Sequence, residues 1–148
     1  PHQITSGGDK RFHSVKNGLS MIEDFGLVAI HDGVRPLVSE EVIKKSFRVA
    51  ENTGSAIPVI HPAESLRKVS DAENLPVDRN EYRLVQTPQT FQTRLIKKAY
   101  DNPYEPRFTD DATVFEADGN KVSLINGNIE NIKITRMFDL KIVELYLS

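Results

Sequence analysis

The chain has 148 residues, of which 39% are hydrophobic and 27% charged, so it predicts one soluble globular domain over residues 1–148. The formal net charge of −2 gives no basic surplus, which argues against nucleic-acid binding, and no apolar run is long enough to cross a bilayer. The sequence contains no cysteine, which excludes disulfides and thiolate ligands and agrees with a cytoplasmic location.

The first part of the chain is typical of an α/β protein. The predicted elements are, in order, a helix between a glycine turn at Gly7-Gly8 and Gly26, a strand over about 27–31, a helix from Ser39 to Gly54, and a strand over 56–60. Strand, helix and strand at this spacing predict a βαβ unit, in which the two strands pair in parallel through a right-handed crossover.

Residues 61–83 interrupt this pattern. The segment is polar, contains Pro62 and Pro76, and includes only short alternating fragments such as residues 65–69. We interpret it as a β-hairpin arm that protrudes from the main sheet, as arms that embrace a partner subunit do. A surface loop is the alternative that periodicity alone leaves open.

The rest of the chain returns to alternating elements. The predictions are a segment over 84–89 that rejoins the body, a helix from about Thr90, an irregular stretch over 101–107, a helix N-capped by Thr109 and ending near Gly119, strands over 121–125 and 131–134, and a last helix after Thr135. Together with the first part, this alternation predicts a three-layer α/β domain.

The segment 28–36, VAIHDGVRP, contains the most informative polar side chains. Ligands of open α/β sheets bind beyond the carboxyl ends of the strands, which is where Asp32 and Arg35 lie. A carboxylate suits a metal or a hydroxyl donor and a guanidinium suits a phosphate, so the pair suggests a phosphorylated polar substrate. The alternative is that both residues only cap a loop and a helix.

Two other segments carry candidate anion ligands. The block 7–14 places glycines, Arg11 and Ser14 at a helix N-terminus, where backbone amides bind anions, although such glycine pairs are often only turns. Lys133 lies between two isoleucines and would face a cleft if that strand were central, whereas a solvated edge lysine is the alternative. No nucleotide-loop, hydrolase or metalloprotease motif is present, and the four histidines lack metal-ligand spacing.

Taken in order, these segments resemble the 2-C-methyl-D-erythritol 4-phosphate cytidylyltransferase family. The matching motifs are the block 7–14, HDGVRP at 31–36, DRN at 78–80, QTPQ at 86–89, FTDDA at 108–112 and NIKIT at 131–135. The resemblance implies a Rossmann-like nucleotidyltransferase fold and a homodimer formed through the arm. It also implies attack of the substrate 4-phosphate on the α-phosphorus of CTP, with release of pyrophosphate and with Mg²⁺ bound to the CTP phosphates.

The resemblance further implies individual roles. The nucleotide would be bound by Gly8, Asp9, Arg11 and Ser14. The alcohol phosphate would be bound by Asp32, Arg35, Ser65, Arg79, Thr87 and Thr109, with Ser65 replacing a threonine of relatives and Arg79 reaching the neighbouring subunit's site. Lys133, Arg79 and Asp32 would be the catalytic residues, and Asp32 would also lie near the magnesium-bound phosphates.

The family normally opens with a strand and a glycine-rich loop that bears an arginine and a lysine, and this chain has neither. We therefore expect it to correspond to the carboxyl-terminal two thirds of the enzyme, to expose apolar surface, and by itself to bind CTP poorly and turn over little. Two other functions stay open: a cytidylyltransferase for another sugar-alcohol phosphate such as ribitol 5-phosphate, and a non-catalytic dimerisation module.

Overall fold

A computed structural model describes residues 2–148. The helices are α1 (Arg11–Ser20), α2 (Glu40–Thr53), α3 (Thr93–Ala99), α4 (Asp111–Ala117) and α5 (Met137–Leu147). The strands are β1 (Leu27–Ile30), β2 (Ser55–Ile60), β3 (Leu66–Val69), β4 (Asn74–Val77), β5 (Leu84–Val85), β6 (Gln89–Gln92) and β7 (Leu124–Asn126). Among the described residues, no helix is both long enough and apolar enough to span a membrane.

The main sheet has the strand order β1-β6-β2-β5, and β7 pairs in parallel with β2. Strand β6 is antiparallel to both of its neighbours, with Phe91 opposite Val28 on one side and opposite Ser55 on the other. Strands β1 and β2 therefore run in the same direction, as predicted, but they do not pair. The predicted parallel pairing is wrong because a strand from later in the chain lies between them.

Helices cover both faces of the sheet, which confirms the three-layer α/β prediction. Successive side chains of a strand point to opposite faces, and in β2 they enter two different clusters. Ile57 and Val59 pack with α1, α3 and α4 in a cluster that includes Phe91 and Phe115, whereas Ala56 packs with Ala50 of α2. The sheet is therefore the middle layer.

Strand β1 is at the edge of the sheet and pairs, among the described residues, with β6. An open groove of about 970 Å³ lies beside it and is lined in part by Ile4, Met21 and Phe25. Phe25 is 79% exposed and Ile4 84% exposed. The expected exposed apolar surface is therefore present beside this edge.

Several predicted boundaries are wrong. Helix α1 ends at Ser20, before Ile22, and α3 starts at Thr93 because residues 89–92 are taken into the sheet by pairing with β1. The strand predicted over 121–125 is confined to β7.

Two further predictions are corrected near the site. Residues 131–134 form no strand: their backbone is joined to the loop after β1 by a hydrogen bond from Ile134 N to Val34 O. Thr109 is not the N-cap of α4, since that position belongs to Asp110, whose side chain accepts from Thr113 N in a capping box.

The arm is a hairpin rather than a loop. Strands β3 and β4 pair antiparallel, from Leu66 opposite Val77 to Val69 opposite Asn74, and form a sheet separate from the main one. A 3-10 turn (Arg79–Glu81), capped by the Asp78 side chain, leads back to β5. The chain therefore leaves the main sheet after β2, forms the arm, and returns to the sheet at β5, which pairs with β2.

Candidate active site

Asp32, just beyond β1, lies among three cationic side chains. Its carboxylate is 3.1 Å from Lys133 Nζ, 3.4 Å from Arg35 Nε and 3.6 Å from Arg11 Nε. Lys133 is far from the two arginines along the chain, so only folding brings the three cations together. The predicted guanidinium and ammonium groups thus all contact the predicted acid, Asp32.

Hydrogen bonds between side chains and the backbone explain why this cluster forms. Pairing of β6 with β1 places Thr87 next to Asp32, and Thr87 Oγ1 accepts a hydrogen bond from Asp32 N at 3.0 Å. Asn131, which is fully buried, donates from its side chain to Thr87 O at 2.8 Å and accepts from Arg35 Nη1 through its own carbonyl at 2.8 Å. Lys133 is held at the site by this anchored segment rather than by a strand.

The Asp32 carboxylate is ionised in this environment. Burial raises its pKa, but the hydrogen bond and charge of Lys133, together with Arg11 and Arg35, outweigh burial and hold the pKa below its ordinary value. Asp32 therefore keeps the three cations in place while remaining an acceptor.

Arg11 has a second, stronger anchor. Its guanidinium donates two hydrogen bonds to Asp111, from Nη1 to Oδ1 at 2.8 Å and from Nη2 to Oδ2 at 2.6 Å. Tyr100 donates to the same carboxylate, from its hydroxyl to Oδ1 at 2.6 Å. The hydrogen bond to Asp111 raises the pKa of Arg11, while burial and the Asp111 charge raise the pKa of Tyr100, so the guanidinium stays charged and the phenol stays protonated.

These side chains surround a cavity of about 290 Å³. It is lined by Arg11, Asp32, Arg35, Val85, Gln86, Thr87, Gln89, Thr109, Asp110 and Lys133. Three cations and two carboxylates line it, a surplus of one positive charge in a chain whose net charge is −2. The arrangement can bind a phosphate-bearing ligand.

Part of the predicted nucleotide subsite lies outside the cavity lining. Gly8 N donates to Ser14 Oγ at 3.0 Å, and a side chain at Gly8 would collide with His13, so this turn requires glycine. Asp9 is exposed. The turn lies at the start of α1, close to Arg11, which does line the cavity.

The two arm residues of the predicted substrate site are also outside the cavity lining. Arg79 lies in the 3-10 turn, is exposed and donates to Ala63 O at the base of the arm. Ser65 is exposed and directly precedes β3. Neither residue lines the cavity formed by its own chain.

The residues present do not fit a metal ion held by the protein. The Asp32 carboxylate already has three cationic partners, and the Asp110 oxygens accept from Thr113 N and Gln89 Nε2. Across residues 2–148 no group of three or more histidine, aspartate or glutamate side chains could ligate a metal. A magnesium ion would therefore have to be ligated mainly by the phosphates of a nucleotide.

Sequence reasoning missed the roles of three buried residues: Gln89, which lines the cavity, and Tyr100 and Asp111, which lie behind its wall. Gln89 is fully buried and accepts from Ala112 N at 2.8 Å while donating to Asp110, so it joins β6 to α4. In the sequence, Asp111 is only part of a helix start and Tyr100 only part of a helix end. The available signal was the place of Gln89 in the QTPQ motif at 86–89 and of Asp111 in the FTDDA motif at 108–112.

The sheet and the helices that cover it form a Rossmann-like nucleotidyltransferase fold, as comparison with solved structures shows. The crystal structure of 2-C-methyl-D-erythritol 4-phosphate cytidylyltransferase from Thermus thermophilus aligns with a TM-score of 0.84 at 32% identity, covering 96% of this chain and 71% of that chain. The crystal structure of 4-diphosphocytidyl-2C-methyl-D-erythritol synthase from Anaerococcus prevotii aligns with a TM-score of 0.85 at 29% identity, covering 95% of this chain and 65% of that one.

The sequence comparisons identify the family. The family model IspD, 2-C-methyl-D-erythritol 4-phosphate cytidylyltransferase, matches residues 1–148. Relatives of that name from Bacteroides thetaiotaomicron and Phocaeicola vulgatus are 53% and 51% identical, over 95% and 99% of this chain and 64% and 67% of their own lengths. The chain belongs to this family, and it spans about two thirds of the length of these relatives.

Proposed function

We propose that the protein carrying this chain transfers CMP from CTP to 2-C-methyl-D-erythritol 4-phosphate and releases pyrophosphate, in isoprenoid precursor biosynthesis. The observation that carries the proposal is the contact of Arg11, Arg35 and Lys133 with Asp32 at a cavity of about 290 Å³. Membership of the cytidylyltransferase family supports the choice of substrates.

The reaction needs positioning and charge neutralisation rather than covalent chemistry by the protein. An oxygen of the substrate phosphate forms a bond to the α-phosphorus of CTP, while the bond from that phosphorus to the bridging oxygen breaks and pyrophosphate leaves with the electron pair. The side chain of Lys133 is 46% exposed and places its ammonium at the cavity, where it would neutralise charge on the transferring phosphoryl group.

The other predicted site residues would divide between the two ligands. Arg11, with the turn at Gly8, Asp9 and Ser14, would bind the nucleotide. Arg35, Thr87 and Thr109 would bind the alcohol phosphate beside Asp32. Magnesium would enter as a complex with the CTP phosphates.

We further propose that the enzyme is a homodimer in which Arg79 and Ser65 serve the neighbouring subunit's site. Support comes from their place on an exposed arm, away from the cavity of their own chain. Residues 1–148 by themselves would bind CTP poorly and turn over little, since the glycine-rich loop of the family is not among them.

The test is an assay of the full-length protein with CTP, Mg²⁺ and each candidate alcohol phosphate, with the products followed by ³¹P NMR. We expect a CDP-linked alcohol and pyrophosphate with methylerythritol phosphate, and at least tenfold lower kcat/KM with ribitol 5-phosphate. Preference for ribitol 5-phosphate would overturn the substrate assignment, and the absence of pyrophosphate release with either would overturn the transferase function.

A further inference from the structure

Asp111 is a buried acid that lies behind the wall of the cavity. It is fully buried, does not line the cavity, and binds Arg11, which does. The side chain of Arg11 is 38% exposed, so its guanidinium lies at the boundary between the buried carboxylate and the cavity.

The contact has the geometry of a rigid clamp. Both carboxylate oxygens accept from the two terminal nitrogens of Arg11, which fixes the plane of the guanidinium as well as its position. Only Nε remains directed at Asp32, at 3.6 Å. Because a buried carboxylate that has lost its countercharge is strongly unfavourable, moving Arg11 away from Asp111 to follow a ligand would be costly, even with Tyr100 still donating to Asp111.

Tyr100 fixes the carboxylate itself. The hydroxyl donates to Oδ1 at 2.6 Å, and the ring is 2% exposed and stacked on Phe12 at 4.7 Å between centroids. Phe12 is the neighbour of Arg11 on α1. One contact set therefore fixes the start of α1, the end of α3 and the start of α4 relative to one another.

We infer that Asp111, held by Tyr100, is a positioning residue that orients Arg11 at the wall of the CTP site. The inference rests on the proposed function for the identity of the ligand. Because Arg11 is already held by a buried acid, no conformational entropy is lost in ordering its side chain when the triphosphate binds. The affinity for CTP therefore depends on Asp111 and Tyr100, which the nucleotide does not touch.

The test compares three variants of the full-length protein. Asp111→Asn removes the charge and one acceptor, Tyr100→Phe removes only the hydroxyl, and Asp118→Asn is the matched control. Asp118 accepts from Lys98 at 3.0 Å and so also joins α3 to α4, but it lies outside the cavity lining.

We expect the KM for CTP to rise about tenfold in Asp111→Asn and about threefold in Tyr100→Phe. The KM for the alcohol phosphate and kcat should stay within about threefold, and Asp118→Asn should match the wild type. In an Arg11→Lys background, which cannot form the two-bond clamp, Asp111→Asn should change the KM for CTP less than about twofold. If Asp111→Asn does not fold, the KM for CTP of Tyr100→Phe tests the inference.

An unchanged or lower KM for CTP in folded variants overturns the inference, as does an equal rise in both KM values or an effect that persists in full with Arg11→Lys. A readout independent of activity is the ¹⁵N signal of Arg11 Nε, which should be shifted and sharp in the wild type and averaged in Asp111→Asn. An unaltered signal also overturns the inference. Absence of CMP transfer by the wild type rejects the proposed function alone, because this signal still tests the clamp.

Discussion

At the scale of single residues, the site depends on one carboxylate that holds several cations near one another. Without Asp32, the like charges of Arg11, Arg35 and Lys133 would repel each other across the cavity. The side chain of Asp32 is 13% exposed, so these interactions are less screened than those of a surface pair. A phosphate entering the cavity would meet cations that are already assembled.

Lys133→Met should raise the pKa of Asp32, because it removes the largest of the interactions that lower it. A pKa held below the ordinary value of about 3.9 contributes stability at higher pH, and that stability is lost as the pH falls through the lowered value. The wild type should therefore lose stability on acidification below about pH 4, and the variant less.

The pKa is measured from the ¹³C shift of the Asp32 carboxyl group, with Lys121→Met as the control because Lys121 lies outside the cavity lining. In the full-length enzyme, Lys133→Met should also lower kcat by about 10² to 10³, the usual effect of removing a group that stabilises transition-state charge. An Asp32 titration equal to that of the wild type would contradict the assigned contact.

At the scale of elements, α2 shows where local sequence signals are sufficient. Its predicted ends, at Ser39 and Gly54, are both confirmed: Ser39 Oγ accepts from Val42 N at 3.2 Å, and Gly54 adopts φ of 90°. Both signals act within one turn of the chain, so no distant contact was needed to recognise them.

Ser39→Ala should lower the free energy of unfolding by about 1 kcal/mol, because it removes the acceptor for Val42 N at the start of α2. Ser39→Asp should stay close to the wild type, since a carboxylate also caps a helix start. Urea denaturation followed by circular dichroism gives both values, and a loss as large in Ser39→Asp would show that the cap is not the cause.

Gly54→Ala and Gly18→Ala should have opposite effects. Gly54 has a positive φ, and an added Cβ would lie 3.3 Å from Leu95, so alanine should lower the free energy of unfolding by about 1 kcal/mol or more. Gly18 is inside α1 with open space around it, so alanine should raise that free energy by about 0.5 to 1 kcal/mol. The same denaturation experiment measures both variants. A change of the same sign in their free energies of unfolding would refute the argument.

At the scale of the whole molecule, the sequence predicts the three-layer arrangement of helices and sheet better than it predicts which strands pair. The insertion of β6 between β1 and β2 depends on contacts between residues far apart in the chain, such as Val28 and Phe91, which no periodicity reveals. The apolar alternation around Lys133 predicts a strand, yet this segment is fixed by the buried Asn131 side chain and by Arg35. Motif resemblance located most of the residues that line the cavity, whereas the FTDDA motif alone does not show that Asp111 binds Arg11.

The arm is the surface on which the proposed dimer depends. Val69 and Leu75 are 72% and 51% exposed on the hairpin, too much apolar surface for a pair of strands with no partner. We expect the full-length protein to sediment as a dimer at micromolar concentration. Replacing both residues by aspartate should weaken the dimer at least tenfold and lower turnover, because Arg79 would no longer reach the neighbouring site.

Ile129→Asp is the matched control for that double variant, because Ile129 is also 72% exposed but lies outside the arm and the cavity lining. It should remain a dimer with wild-type turnover. A wild type that sediments as a monomer, or an arm variant that stays dimeric, would contradict the proposed role of the arm. A monomeric arm variant with full turnover would instead show that Arg79 is not needed across the interface.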